Sequence, residues 1–343
     1  MPRWSGNLKQ YKLGVIGSDL KTLDAAGNSA INSNTGFITE CARSFWTPTT
    51  VDTYWSFNPQ GGCLTVANSD SSNYPDGNIV EKGAQAYQLR STTNRPLKTC
   101  SSVFASCTAL TDFSTTIAPD KFGLDSANAS ERDALVNWEK GLDIRDENNN
   151  QITTTEMRPS IHADVVHSRP VAINFGSDTS PQVIVFYGGN DGILRAVNGN
   201  RTESIGSVPA GSELFAFVAP EFYSQIKRVR DNQTTISYRG TIVTSPTPLP
   251  KPYGFDGPVT ADKTADHAWI YAAMRRGGRV LYAFDFSDLA TPTLKWKKGC
   301  PNQDNDTDCS AGFSGIGQTW SSAKLFKSNG YDSGAKPMLI SQT

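Results

Sequence analysis

Short apolar runs broken by Gly, Asn, Asp, Ser and Thr recur along this chain, and apolar residues rarely keep the three-to-four spacing of an amphipathic helix. That pattern predicts an all-β protein. Two segments repeat one design: residues 183–197 pass through Gly188, Gly189, Asn190, Asp191 and Gly192, and residues 269–285 pass through Gly277 and Gly278, each reading strand, tight turn, strand. Each hairpin is followed by an aromatic-bearing run, 213–218 with Phe215 and 294–296 with Trp296. Each is also preceded by a run able to pair on its other side, 171–173 and 238–243. Three or four strands per unit, roughly 85 residues apart, predict the blades of a partial β-propeller. A third unit begins near 317–325, and further strands are expected at 336–341 and at 6–13, the latter with Leu8, Gln10 and Lys12 on one face.

Ahead of the blades the pattern is less regular. Residues 11–124 predict loop-rich β structure, and one short helix is expected at 130–140. There Ser130 to Asp133 has capping-box spacing, Ala134 and Trp138 lie one turn apart, and Gly141 suits the C-terminal end. Residues 143–150 are an acidic, Asn-rich loop. The expected division is therefore an irregular, disulfide-stapled β-rich lead-in over 1–157 and blades over 158–343, truncated at the C-terminus. Strand patterns at both ends predict a piece of a longer exported protein.

Composition narrows the partners. Thirty-two basic and 33 acidic residues give a net charge of -1, which leaves no global field to attract nucleic acid. No run approaches the roughly 18 apolar residues of a membrane-spanning helix, so none is predicted. Six cysteines fall into three local pairs, Cys41 with Cys63, Cys100 with Cys107 and Cys300 with Cys309, which predicts three disulfides and an oxidising compartment. With only His162, His167 and His267 and no CxxC spacing, a Cys/His zinc site has little support.

The candidate chemistry is sparse. Asp164, His167 and Ser168 suggest a hydrolase triad by type, but strand alternation places His167 on the opposite face from the other two. Asp164 and Ser168 are instead expected to satisfy backbone groups, with His167 beside Pro170. Asp304, Asp306 and Asp308 alternate inside the Cys300–Cys309 loop and form a calcium candidate, although Cys309 stands where an EF-hand carries Gly and no closing Glu follows. Neither Gly pair opens a helix, which argues against a phosphate loop. No set of catalytic Asp, metal-holding carboxylate and stacking aromatics stands out, so the chain is expected not to be an enzyme. A fragment of a quinone-cofactor β-propeller dehydrogenase and a carbohydrate-binding surface propeller are the alternatives. Partner contacts are expected at propeller-rim loops, at Asn190 and Asp191, at Arg275 and Arg276, and along 301–308.

Residues 158–170, 187–196 and 213–220, in that order and spacing, resemble a blade of the type IV pilus tip-associated PilC/PilY family. Residues 6–11, 277–285 and 315–320 agree with it. Arg195, Val197 and Phe215 depart from the family's usual His, Phe and Trp. The resemblance implies a protein exported through the periplasm to the cell surface, at the pilus tip or associated with the outer membrane. It would support pilus assembly, oppose retraction, and serve adhesion and twitching motility. Pilins or minor pilins and a host or abiotic surface are the implied partners. The family's calcium loop lies in a later blade, and its counterpart would fall beyond Thr343.

Overall fold

In the lead-in, apolar side chains are too scattered to build a continuous sheet face, and only short strands form. The structure is a computed structural model that describes residues 1–49, 76–93, 95–238, 240 and 244–341. Strands β1 (Lys12–Ile16) and β2 (Asp19–Leu23) pair as a hairpin with Val15 opposite Leu20. The strand expected at 6–13 forms only at its end, where Lys12 and Leu13 belong to β1; over 6–11 the side chains are drawn in several directions instead of alternating. Asn7 donates to the carbonyls of Val80, Lys82 and Gly83, Lys9 to that of Ile79 at 2.7 Å, and Gln10 to that of Gly199 at 2.8 Å. Gly6 is pressed so closely on the backbone of Ala163 that a Cβ there would lie 2.0 Å from its carbonyl oxygen.

Helix α1 (Ala84–Arg90) was not expected, since its N-terminal amides are satisfied from afar: Thr47 Oγ1 accepts from Ala84 and Asn7 Oδ1 from Ala86. Strands β3 (Leu97–Thr99) and β4 (Thr111–Asp112) follow, with the Cys100–Cys107 disulfide between them. Helix α2 (Ala129–Glu139) matches the expected helix, but its cap is Asn128, whose side chain accepts from the Glu131 amide, in place of Ser130. Its C-terminal end is a Schellman turn: Gly141, at φ 108°, donates to Trp138, and Leu142 donates to Asn137.

The two expected hairpins then form within two antiparallel meanders. In the first, β5 (Val171–Asn174), β6 (Val183–Gly188), β7 (Ile193–Asn198) and β8 (Glu213–Val218) lie in order, with Phe186 opposite Ala196 and Ala196 opposite Phe215. Strand β3 adds in parallel to β8 and β4 pairs with β3, so one six-stranded sheet spans the segment boundary placed near residue 157. A second unexpected helix, α3 (Tyr223–Asp231), buries only Tyr223, Ile226, Val229 and Arg230.

In the second meander, β9 (Val259–Lys263), β10 (Ala268–Ala273), β11 (Arg279–Asp285) and β12 (Thr293–Cys300) lie in order. The outer position expected for 238–243 is taken by β9; Arg239 and residues 241–243 lie outside the described residues. Strands β13 (Lys324–Lys327) and β14 (Pro337–Ile340) form a final pair, and the Cys300–Cys309 disulfide closes the loop after β12. The expected Cys41–Cys63 pair involves Cys63, outside the described residues.

The protein is therefore mostly β, in open sheets, with three α-helices among the described residues. The meanders meet across an aromatic layer: Phe186 on Phe286 at 4.8 Å, Phe217 on Phe284 at 5.0 Å and Phe215 on Phe286 at 5.2 Å, all edge-on. Such pairs add about 0.5–1.5 kcal/mol each beyond their burial. On the other side of the first sheet, α2 and α3 bury Leu135, Trp138, Tyr223 and Ile226 with Ile193 and Val218. Among the described residues no helix is long and apolar enough to cross a membrane.

Candidate functional site: a cleft over a buried charge network

Strand β7 carries Arg195 between Leu194 and Ala196, inside an otherwise apolar run, and its side chain is fully buried. A buried guanidinium needs partners, and the neighbouring turn and strand supply them. Asp191, four residues earlier in the turn, receives two hydrogen bonds from Arg195, at 3.1 and 2.5 Å, and Glu213 on β8 receives one at 3.0 Å. Arg95 then grips Glu213 with two bonds of 2.8 Å. Burial alone would push both carboxyls up; the arginines overcome it and hold Asp191 and Glu213 below the usual carboxylate range. This chain of two acids and two bases is neutral as a set.

Three further buried groups surround it. His162 contacts the Tyr187 hydroxyl through Nε2 at 2.7 Å, and Tyr187 bonds the Gln85 amide. Burial, then the Arg195 charge, pushes His162 down to about 3, so the ring is neutral at physiological pH. Glu139, at the last turn of α2, has neither carboxyl oxygen hydrogen-bonded, and burial, then Asp191, pushes it up to about 8. Arg158 sits over Trp138, its guanidinium carbon 4.0 Å from the ring centroid. It donates to the carbonyls of Trp138 at 3.4 Å, Ser160, and Ile161 at 3.3 Å, and burial pushes it down to about 10.

A cleft of about 380 Å³ opens above these groups, bordered by Arg3, Trp138, Glu147, Arg158, Ser160 and Asp191. The N-terminal arm forms one wall, fastened by Gly6 donating to His162 and by Asp164 donating to Trp4.

The sequence-derived candidates fare unevenly. Asn190 and Asp191, expected as rim contacts, are buried: Asn190 donates to Asp164 at 2.6 Å and accepts from the Gly254 amide, and Asp191 is held by Arg195. Segment 254–256 packs over their turn, which removes them from any docking surface. Ser168 does satisfy a backbone group, the Gly188 amide at 2.8 Å, whereas the Asp164 carboxylate takes side chains, Lys251 and Asn190. His167 pairs with Asp256 at 2.8 Å, apart from both, so no triad assembles.

The calcium candidate does not converge. Asp306 is engaged by Arg279, and the donor trio brought together among the described residues is Cys300, Asp306 and Cys309, whose sulfurs are spent in the disulfide. Arg275 and Arg276 are half-buried, both over Trp320, and Arg276 bonds the Tyr253 hydroxyl at 2.9 Å. Arg276 and Gln303 border a second cleft of about 530 Å³, and Gln303, Asp304 and Asp308 border a third of about 560 Å³; Glu221, Gln225 and Gly277 belong to both.

Sequence reasoning missed Arg95, Glu139, Arg158 and Glu213 as site residues. The available signal was ionisable residues inside apolar context, as at Glu139 beside Trp138. Compared with known proteins, the chain matches no protein-family model, no curated protein and no solved structure.

Proposed function

We propose that this chain is a binding and assembly module of the type IV pilus tip-associated PilC/PilY kind, the beginning of a β-propeller and not an enzyme. The observation that carries the reading is the pair of four-stranded antiparallel meanders packed face to face through Phe186, Phe215, Phe217, Phe284 and Phe286, the way neighbouring blades pack. Strands β7, β8 and β11 fall largely on the segments that carry the family resemblance. The adjoining clefts around Arg276, Tyr253 and the 301–308 loop supply a rim with aromatic and arginine anchors for a pilin, a minor pilin or a host or abiotic surface. Two disulfides fit export through an oxidising compartment to the cell surface. Under this reading any calcium site belongs to a later blade.

The test is to delete the gene in a piliated host and count surface pili with and without a working retraction motor. Pili that vanish and return when retraction is blocked support a tip-assembly role. Unchanged pili in both backgrounds refute it and favour the carbohydrate-binding or quinone-enzyme readings.

A further inference from the structure

We propose that the cleft over Trp138 binds a small carboxylate ligand, with Arg158 as its counter-ion and Trp138 and Ser160 as hydrogen-bond donors. Independently of the pilus reading, the cleft holds a buried cation without an ion pair. Arg158 is 3% exposed, yet it forms no ion pair with any described carboxylate, although buried cations are ordinarily paired. Three acids near it are committed elsewhere, Glu147 to Arg3 at 2.5 Å, Asp191 to Arg195, and Glu213 to Arg95 and Arg195, while Glu81 at the cleft edge forms no ion pair with it. The Glu139 carboxyl makes neither hydrogen bond nor ion pair.

Beside the Glu139 carboxyl, the unfilled hydrogen-bonding capacity here includes donors. A guanidinium offers five N–H groups, and three carbonyls occupy three of those on Arg158. The indole N–H of Trp138, itself 1% exposed, has no partner, and neither has the Ser160 hydroxyl. Both residues border the cleft with Arg158, and the two unpartnered atoms themselves are buried. A buried donor left unmatched is costly, so an occupant that brings acceptor oxygens and one negative charge completes the site. A carboxylate fits better than a phosphate dianion, because Arg158 is the one cation without an ion pair among the described residues bordering the cleft, and Glu81 and Glu147 at its edge repel a second charge. Ile161, Ala163 and Val229 supply apolar wall for the rest of the molecule, and the volume lies within the range of small-ligand pockets.

A peptide C-terminus and a sugar acid share this chemistry, and calorimetric titration of the full chain separates them. The probes are N-acetyl-alanyl-alanine with its C-terminal amide, and N-acetylneuraminic acid with its methyl ester. One acid should bind at least about tenfold more tightly than its neutral derivative, and which acid does so identifies the source. Ser160→Ala removes a hydroxyl with no partner and leaves the fold in place, yet should weaken that binding severalfold. Trp138→Phe should do the same, and Arg158→Lys, which loses the planar fork, should abolish it. Equal binding of acid and neutral derivative, no binding of either acid up to about 10 mM, or wild-type affinity in the Ser160 and Trp138 variants would overturn the proposal.

Discussion

Replacing Glu139 with Gln should remove the alkaline side of this protein's stability profile. In the folded chain the carboxyl is buried without a hydrogen bond and titrates near 8; in the unfolded chain it titrates near 4.5. The folded state therefore holds a proton that the unfolded state has lost. With the folded value raised, the stabilisation is complete below pH 4.5 and disappears as pH rises through 8. Between pH 6 and pH 8 these two values give a loss of about 2 kcal/mol, at roughly 1.4 kcal/mol per pH unit of displaced titration.

His162 works in the opposite direction. Its folded value is lowered to about 3 from 6.5, so its contribution is complete above 6.5 and is lost as pH falls toward 3. Over the pH 6–8 window it returns less than about 1 kcal/mol, and equally in wild type and variant. Urea titrations followed by tryptophan fluorescence at pH 6, 7 and 8 isolate the Glu139 contribution as a double difference. The Glu139→Gln protein should gain about 2 kcal/mol relative to wild type from pH 6 to pH 8. Parallel profiles would mean that Glu139 titrates as an ordinary glutamate and is not held in a desolvated site.

Three other perturbations probe the frame around the site. Arg195→Ala strips buried Asp191 of its ion pair and Glu213 of one of its two arginines and should cost about 3–5 kcal/mol, whereas Arg276→Ala should cost under about 1 kcal/mol; denaturant midpoints compare them, and equal losses would contradict the burial difference. Peptide mapping without reduction should recover Cys100–Cys107 and Cys300–Cys309, and replacing either pair by serines should destabilise by roughly 2–3 kcal/mol for loops this short. Gly6→Ala forces a methyl group against the Ala163 carbonyl, so the N-terminal arm should detach at a cost of about 1–3 kcal/mol. Faster hydrogen exchange at the Gly6 and Asp164 amides would report that release, and unchanged protection would show the arm tolerates the methyl.

The meanders were legible because their information is local. A strand of alternating or continuous apolar residues, a Gly-rich turn and a second strand specify the pairings in β6–β7 and β10–β11 without help from the rest of the chain. Helix α2 was legible for the same reason, with its turn-ending Gly141 in sequence. Helix α1 was not, because Thr47 and Asn7 cap it from a distance, and α3 was not, because a helix rich in Lys and Arg buries only four side chains. Strand β9 was hidden by Thr260, Asp262 and Lys263. Asn190 and Asp191 misled in the other direction: Asn-Asp-Gly has the chemistry of an exposed turn, and only the chain returning at Gly254 and Phe255 makes it an interior one.

The same distinction explains why the site lay hidden and how its parts depend on one another. Asp191 with Arg195, Glu213 and Arg95 come from three stretches of chain and cancel among themselves, so neither Glu139 nor Arg158 is needed for balance. Near neutral pH, Glu139 holds its proton and Arg158 stands beneath the cleft without an ion pair. As pH passes 8, Glu139 ionises within the field of Arg158, Arg95 and Arg195 and supplies the negative charge that a bound carboxylate would otherwise bring. Carboxylate affinity should therefore fall between pH 7 and pH 9 in the wild-type protein and hold steady in Glu139→Gln, where no charge appears. Calorimetry with the better-binding acid at both pH values decides it: an equal fall in the two proteins would place the titrating group outside this network, and no fall in either would separate Glu139 from the ligand site.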